Sequence, residues 1–244
     1  YPLPAFDYDI GCRIGKSTLE EDHLGDFARG AFTWPAGIAR SSDGNLYVSD
    51  EYENLIKVFG PDGILPAFEY DPKGEHISVW GEPGSDKGQL NGPSGLEFNS
   101  KDQLYIVDSR NDRVQMFTKE GGYINGWGGH GSGQGQFDLP WGITIAEDDV
   151  YVADWWNNKV EIYHGDGAHF ATLIGDAKEM SRWGESYLEN NIADQENRAL
   201  VRDFEPEFRF MMPTSIVVGS QGYVFVADSI RFRIQVYQKM KGSD

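Results

Sequence analysis

The chain of 244 residues carries five histidines, His23, His76, His130, His164 and His169, one cysteine, Cys12, and 39 acidic residues. A zinc centre needs three or four of these groups to converge. Neither a Cys/His pairing nor a Gly-x-Ser-x-Gly nucleophile elbow is present. The run Glu147-Asp148-Asp149 offers paired acids, but three successive carboxylates flanked by strand-forming residues are ordinarily solvated charge in a turn. The unusual chemistry is aromatic. Trp155-Trp156 follows directly on Asp154, where a turn needs only small polar residues. Tyr52, Trp141 and Phe232 stand at comparable places, with Glu51, Glu53, Arg110 and Arg231 beside them. Aromatic and arginine side chains are the types enriched at the centres of interfaces, so this set reads as contact chemistry.

The elements that must position these residues recur four times. The block runs Pro35-Ala-Gly-Ile to Leu-Tyr-Val-Ser-Asp50, Pro93-Ser-Gly-Leu to Leu-Tyr-Ile-Val-Asp108, Pro140-Trp-Gly-Ile to Val-Tyr-Val-Ala-Asp154, and Pro213-Thr-Ser-Ile to Val-Phe-Val-Ala-Asp228. Counting from each closing aspartate, six residues on stand Ile56, Val114, Val160 and Ile234, and nine on stand Phe59, Phe117, Tyr163 and Tyr237. Period-2 alternation of β-branched and aromatic residues between turn signals predicts antiparallel strands. The aspartate suits the turn, since its carboxylate accepts N–H groups two residues on. A fourth strand is expected at His76–Trp80, Tyr123–Trp127 and His169–Ile174. Four strands per unit, with Pro93 and Pro140 separated by 47 residues, predict the blades of an all-β propeller.

The Pro-x-Gly-Ile entry, the aspartate-ended strand and the turn seen as Asp108-Ser-Arg-Asn-Asp-Arg-Val114 resemble the NHL repeat family over roughly residues 30 to 240. Ser215 and Arg231 depart from the pattern in the fourth copy, which loosens any ligand role shared among those turns. The resemblance implies an NHL-type β-propeller, and members of the family usually carry six blades. Two arrangements are open: a closed four-blade ring, or a diverged or truncated six-blade ring. For the closed ring, the segment 6–14, ending in Ile14-Gly15 like Ile174-Gly175, is expected to pair with 232–238 and complete the last blade. Residues 1–244 then form one domain.

Antiparallel strands put the link into each blade and the turn after its second strand on one face, the entry face. The link from Gly175 to Pro213 is long and lacks strand alternation. Its segment 176–203 is expected to hold a short helix beginning near Asp194 as N-cap, with Ile192, Ala199, Leu200 and Val201 on one side.

A formal charge of −18 argues against nucleic acid, whose recognition needs clustered lysine and arginine. It favours a basic partner protein. No apolar stretch approaches the 18 residues of a membrane-spanning helix. A chain starting at Tyr1 without methionine reads as processed, so a secreted or periplasmic setting is expected. Cys12 alone makes no internal disulfide.

Enzymatic readings fit less well. The peptide-amidating lyases, which resemble this chain in repeat type, place metal-binding histidines directly after the entry proline. Here those positions are Ala36, Ser94, Trp141 and Thr214. The five histidines fall in links and outer strands, which do not converge, and the glycine-rich run 128–135 is a link by its register. No catalytic residue, metal ligand or cofactor is assigned. The sequence leans towards a non-catalytic binding or scaffold module whose entry face binds a protein through Trp141, Trp155, Trp156, Tyr52, Arg110 and Arg231. The alternatives are a propeller hydrolase or lyase with an axial metal site, and a sugar- or small-ligand-binding aromatic face.

Overall fold

The computed structural model describes residues 32–60, 78–175, 182–200 and 209–238. The alternating segments pair into four antiparallel sheets. Blade one holds β1 (Pro35–Arg40), β2 (Leu46–Asp50), β3 (Leu55–Phe59) and β4 (Ser78–Trp80). Blade two holds β5 (Pro93–Phe98), β6 (Gln103–Asp108), β7 (Arg113–Thr118) and β8 (Tyr123–Gly128). Blade three holds β9 (Pro140–Ala146), β10 (Asp149–Asp154), β11 (Lys159–His164) and β12 (His169–Leu173). Blade four shows β13 (Pro213–Val218), β14 (Tyr223–Asp228) and β15 (Arg233–Gln238) among the described residues. The inner strands stand side by side in chain order, β1 by β5, β5 by β9 and β9 by β13. The described residues form an all-β propeller architecture of four blades. The expected closing strand at 6–14, and His76 of the expected outer strand, lie outside the described residues.

The faces of successive blades interlock because strand alternation gives each sheet two apolar sides. Tyr47, Ile56 and Val58 of blade one pack on Leu96, Leu104, Ile106 and Phe117 of blade two. Tyr105, Val107, Val114 and Met116 of blade two pack on Ile143, Val150, Val152 and Tyr163 of blade three. Tyr151, Ala153, Val160 and Ile162 of blade three pack on Ile216, Val224 and Val226 of blade four. Each such large side chain, fully buried, contributes about 1.5–3 kcal/mol. Near the inner edge the backbones themselves touch. A Cβ added at Gly37 would stand 2.5 Å from the Ser94 carbonyl oxygen, one at Gly95 would stand 2.7 Å from that of Trp141, and one at Gly142 would stand 2.3 Å from that of Thr214. The glycine of the entry motif therefore serves the blade that follows it.

Blade four ends this series differently. Phe225, Ile234 and Val236 occupy the positions of Tyr47, Ile56 and Val58, yet they are exposed, as is Val217 beside Phe225. Ser215 stands where the other copies have the glycine. Among the described residues no packing comparable to that between neighbouring blades joins β13 back to β1.

The long link forms two short helices, α1 (Arg182–Glu189) and α2 (Ile192–Ala199). Asp194 lies inside the first turn of α2 instead of capping it. The Asn191 carbonyl accepts the N–H of Gln195 at 3.1 Å, which starts the helix earlier than the sequence suggests. Ile192 and Leu200 remain exposed, so these apolar side chains are not buried against a blade.

Candidate functional site

Every blade is pinned at one edge by its closing aspartate, and this fixes where the candidate residues stand. The carboxylate does not chiefly serve its own turn, as expected from the sequence; it reaches back to the link before the blade. Asp50 accepts the N–H groups of Thr33 at 2.7 Å and Trp34 at 3.1 Å, with that of Glu53 at 3.2 Å. Asp108 accepts that of Asn91 at 2.6 Å, Asp154 that of Asp138 at 2.9 Å, and Asp228 that of Met211 at 2.6 Å. All four aspartates are fully buried. Each has a cation: Lys57 at 3.2 Å from Asp50, Arg113 at 2.7 Å from Asp108, Lys159 at 3.6 Å from Asp154 and Arg233 at 2.7 Å from Asp228.

The balance between burial and these partners differs by blade. Burial raises the Asp50 carboxyl, but the N–H groups of Thr33, Glu53 and Trp34 outweigh it and hold the group below its ordinary value. Burial dominates at Asp108, which is raised, and at Asp154, which is pushed up to about 6.

The turn after each aspartate then folds onto the link. The N–H of Glu51 donates to Trp34 at 2.9 Å, Arg110 to Asn91 at 3.0 Å, Trp156 to Asp138 at 3.1 Å and Ile230 to Met211 at 3.3 Å. Link and turn thus form one edge of the blades, the entry face. Two residues after each aspartate stand Tyr52, Arg110, Trp156 and Ile230, all exposed. Tyr52 is 68 % and Trp156 51 % accessible. The Arg110 guanidinium crosses a blade boundary to the Glu51 carboxylate at 2.7 Å. Its stem lies over Gly92, where a Cβ would meet Arg110 Cγ at 2.9 Å.

Trp155 packs between the other two tryptophans, with ring centroids 5.2 Å from Trp156 and 6.4 Å from Trp141. Trp141 and Trp155 are half-buried, so Trp156 is the exposed end of the trio. Of the six residues singled out from the sequence, the structure joins these three tryptophans in blade three and sets Arg110 against the Glu51 next to Tyr52. Arg231 holds an equivalent turn in blade four and is half-buried.

Four residues after each aspartate the backbone is left-handed, with φ of 60° at Asn54, 53° at Asp112, 57° at Asn158 and 51° at Phe232. Three of these side chains staple the next blade: Asn54 accepts the N–H of Gly92 at 2.6 Å, Asp112 that of Leu139 at 2.7 Å and Asn158 that of Met212 at 2.8 Å. Phe232 has no acceptor to offer and is 96 % exposed.

A second feature was not found by sequence reasoning. Asp112, His130 and Asp138 each bring one donor atom within 4.8 Å of the others, and the Asp112 Oδ2 to His130 Nδ1 distance is 3.0 Å. It is the one grouping of three such donors among the described residues. It lies on the entry face, not on the inner strands. There Glu97 is the partly buried carboxyl, raised by burial.

Two segments, residues 32–59 and 137–163, match the NHL repeat model. Among solved structures, a streptogramin B lyase is similar at 15 % identity and a TM-score of 0.50, with 87 % of this chain and 57 % of that chain covered. A protein of unknown function from Bacteroides thetaiotaomicron is similar at 18 % identity and a TM-score of 0.57, with 89 % of this chain and 50 % of that chain covered. The chain spans about half the length of these proteins, and the likeness shows the shared fold. With four copies in one register, two of them matching the NHL repeat model and each folded as a blade, the chain carries NHL repeats and folds as a β-propeller.

Proposed function

We propose that this propeller is a non-catalytic binding module that takes a protein partner on its entry face. The observation that carries the reading is the row Tyr52, Arg110, Trp156 and Ile230, four large exposed side chains at a single repeat position. A scaffold alone needs small polar residues there. Trp155 and Trp141 back the row and give Trp156 a rigid support, which lowers the entropy lost when it is covered. Arg231 and Phe232 extend the same edge into blade four. The net charge of −18 favours a partner of basic character and speeds its approach.

The test places a photo-crosslinking residue at Tyr52, at Trp156 or at Ser220, an exposed residue of the β13–β14 turn on the opposite edge. The first two positions are expected to capture one and the same protein from the source extract, and Trp155→Ala or Arg110→Ala to abolish that capture. Truncation of a central anchor costs about 2 kcal/mol or more of binding, roughly a thirtyfold loss of affinity. Because Trp156 is half exposed, Trp156→Ala leaves the melting temperature nearly unchanged while binding falls. Equal capture at Ser220, or capture indifferent to both variants, overturns the reading.

A further inference from the structure

We infer that Asp112, His130 and Asp138 form a binding site for a first-row divalent cation of the zinc class at the boundary between blades two and three. The donors come from two segments: Asp112 from the β6–β7 turn, and His130 and Asp138 from the two ends of the β8–β9 link. Two carboxylate oxygens and one imidazole nitrogen are the mixed hard and borderline set that such ions take, with a fourth position left for water.

The repeat provides an internal control for what the fold itself requires. At the boundary between blades one and two the same three places hold Asn54, Pro83 and Asn91. The equivalence is structural: Pro83 bridges Leu90 as His130 bridges Phe137, and Asn54 staples Gly92 as Asp112 staples Leu139. A neutral amide, a proline and a second amide therefore build a complete blade boundary. All three positions carry ligating side chains at one boundary only of these two, and packing does not explain why.

The surroundings orient the donors. Asp112 Oδ1 is held by the Leu139 N–H at 2.7 Å, which leaves Oδ2 turned towards His130. The backbone of Asp138 is fixed at both ends, its N–H on Asp154 at 2.9 Å and its carbonyl under the Trp156 N–H at 3.1 Å. His130 is flanked by the Gly131 N–H to Phe137 carbonyl bond at 2.9 Å and the Phe137 N–H to Gly129 carbonyl bond at 3.0 Å. Outer partners of this kind fix ligand geometry in metal sites. Ligands about 2.1 Å from one tetrahedral ion stand roughly 3.4 Å apart. The three donor atoms lie within 4.8 Å of one another, and the His130 side chain, 73 % exposed, is free of close packing.

Equilibrium dialysis of the whole chain against Zn²⁺ alone, at physiological ionic strength, tests the site. The protein is expected to hold one tightly bound ion per chain. Asp112→Asn, Asp138→Asn and His130→Ala are each expected to weaken it by tenfold or more. The two asparagines are the residues that blade one tolerates, so these variants keep their metal-free melting temperature. Zn²⁺ raises the melting temperature of the unaltered chain but not of the variants. The d–d absorption of Co²⁺ reports the coordination geometry of the same site, and its low-coordinate signal is expected to be lost in His130→Ala. Zinc uptake equal in the chain and its three variants means binding by scattered surface carboxylates and overturns the proposal, as does no uptake at all. The partner-binding reading is tested separately, since Trp155→Ala removes no ligand.

Discussion

Phe232 is the residue most at odds with its backbone. A bulky aromatic side chain at φ 51° is a steric outlier, and the left-handed conformation costs a non-glycine residue about 1–2 kcal/mol. Blades one and three place Asn54 and Asn158 at this position, and asparagine tolerates it. Phe232→Asn is therefore expected to stabilise the chain by about 1 kcal/mol, read as a rise of a few degrees in melting temperature. Under the entry-face proposal the same change weakens partner binding, because it removes an almost fully exposed ring from the contact edge. Strain retained at an exposed aromatic residue is the pattern of a functional position. A variant that gains no stability removes the strain argument.

At the scale of strands and blades, two features decide stability. The inner-edge glycines let adjacent backbones touch, and Gly142 is the tightest, with its added Cβ 2.3 Å from the Thr214 carbonyl oxygen. Backbone on both sides cannot yield cheaply, so Gly142→Ala is expected to cost about 2–4 kcal/mol by denaturant unfolding. Ser215→Ala, at the equivalent but exposed place, is expected to cost less than about 0.5 kcal/mol. The second feature is the buried aspartate. Asp154 titrates near pH 6 in the fold against an ordinary value of 3.8. Between those values the folded state keeps a proton that the unfolded chain has released. The stability contributed by this group is therefore full below pH 3.8 and is lost as the pH rises through about 6. The size is about 3 kcal/mol at ~1.36 kcal/mol per pH unit. Melting temperature should climb as the pH falls from 7 towards 5, and Asp154→Asn should flatten that climb. An unchanged profile in the variant assigns the climb to other groups.

For the molecule as a whole, the side of blade four that no other blade covers among the described residues bears on solution behaviour. Val217, Phe225, Ile234 and Val236 present on it the surface that the other blades bury against a neighbour. Contiguous exposed apolar surface on a sheet promotes association. Sedimentation velocity on the 244-residue chain is expected to show concentration-dependent association, strengthened by salt because the charge of −18 on each copy opposes contact. Ile234→Lys with Val236→Lys should suppress it while changing folding stability little, since both side chains are more than half exposed. Association that survives both lysines would place the contact elsewhere.

The repeat was legible because each copy carries the same alternation and the same punctuation. Strand period, the closing aspartate and the entry proline are local requirements, and local requirements are written in consecutive residues. For the same reason Trp155 and Trp156 stood out as unusual for a simple turn, with Tyr52 and Arg110 at comparable places, and strand direction alone placed them on one face. The tertiary structure decided whatever depends on two blades at once. The aspartates turned out to hold links 16 or 17 residues earlier, a bond no local turn rule describes. The trio Asp112, His130 and Asp138 was missed because its members look unrelated along the chain; the available signal was charge at two places where another copy has asparagine. The meaning of Ser215, too, came only from packing, since the glycine it replaces answers to the backbone of the following blade. A contact between repeats is set by distance in space, and the period of a sequence carries no record of which neighbour a residue will meet.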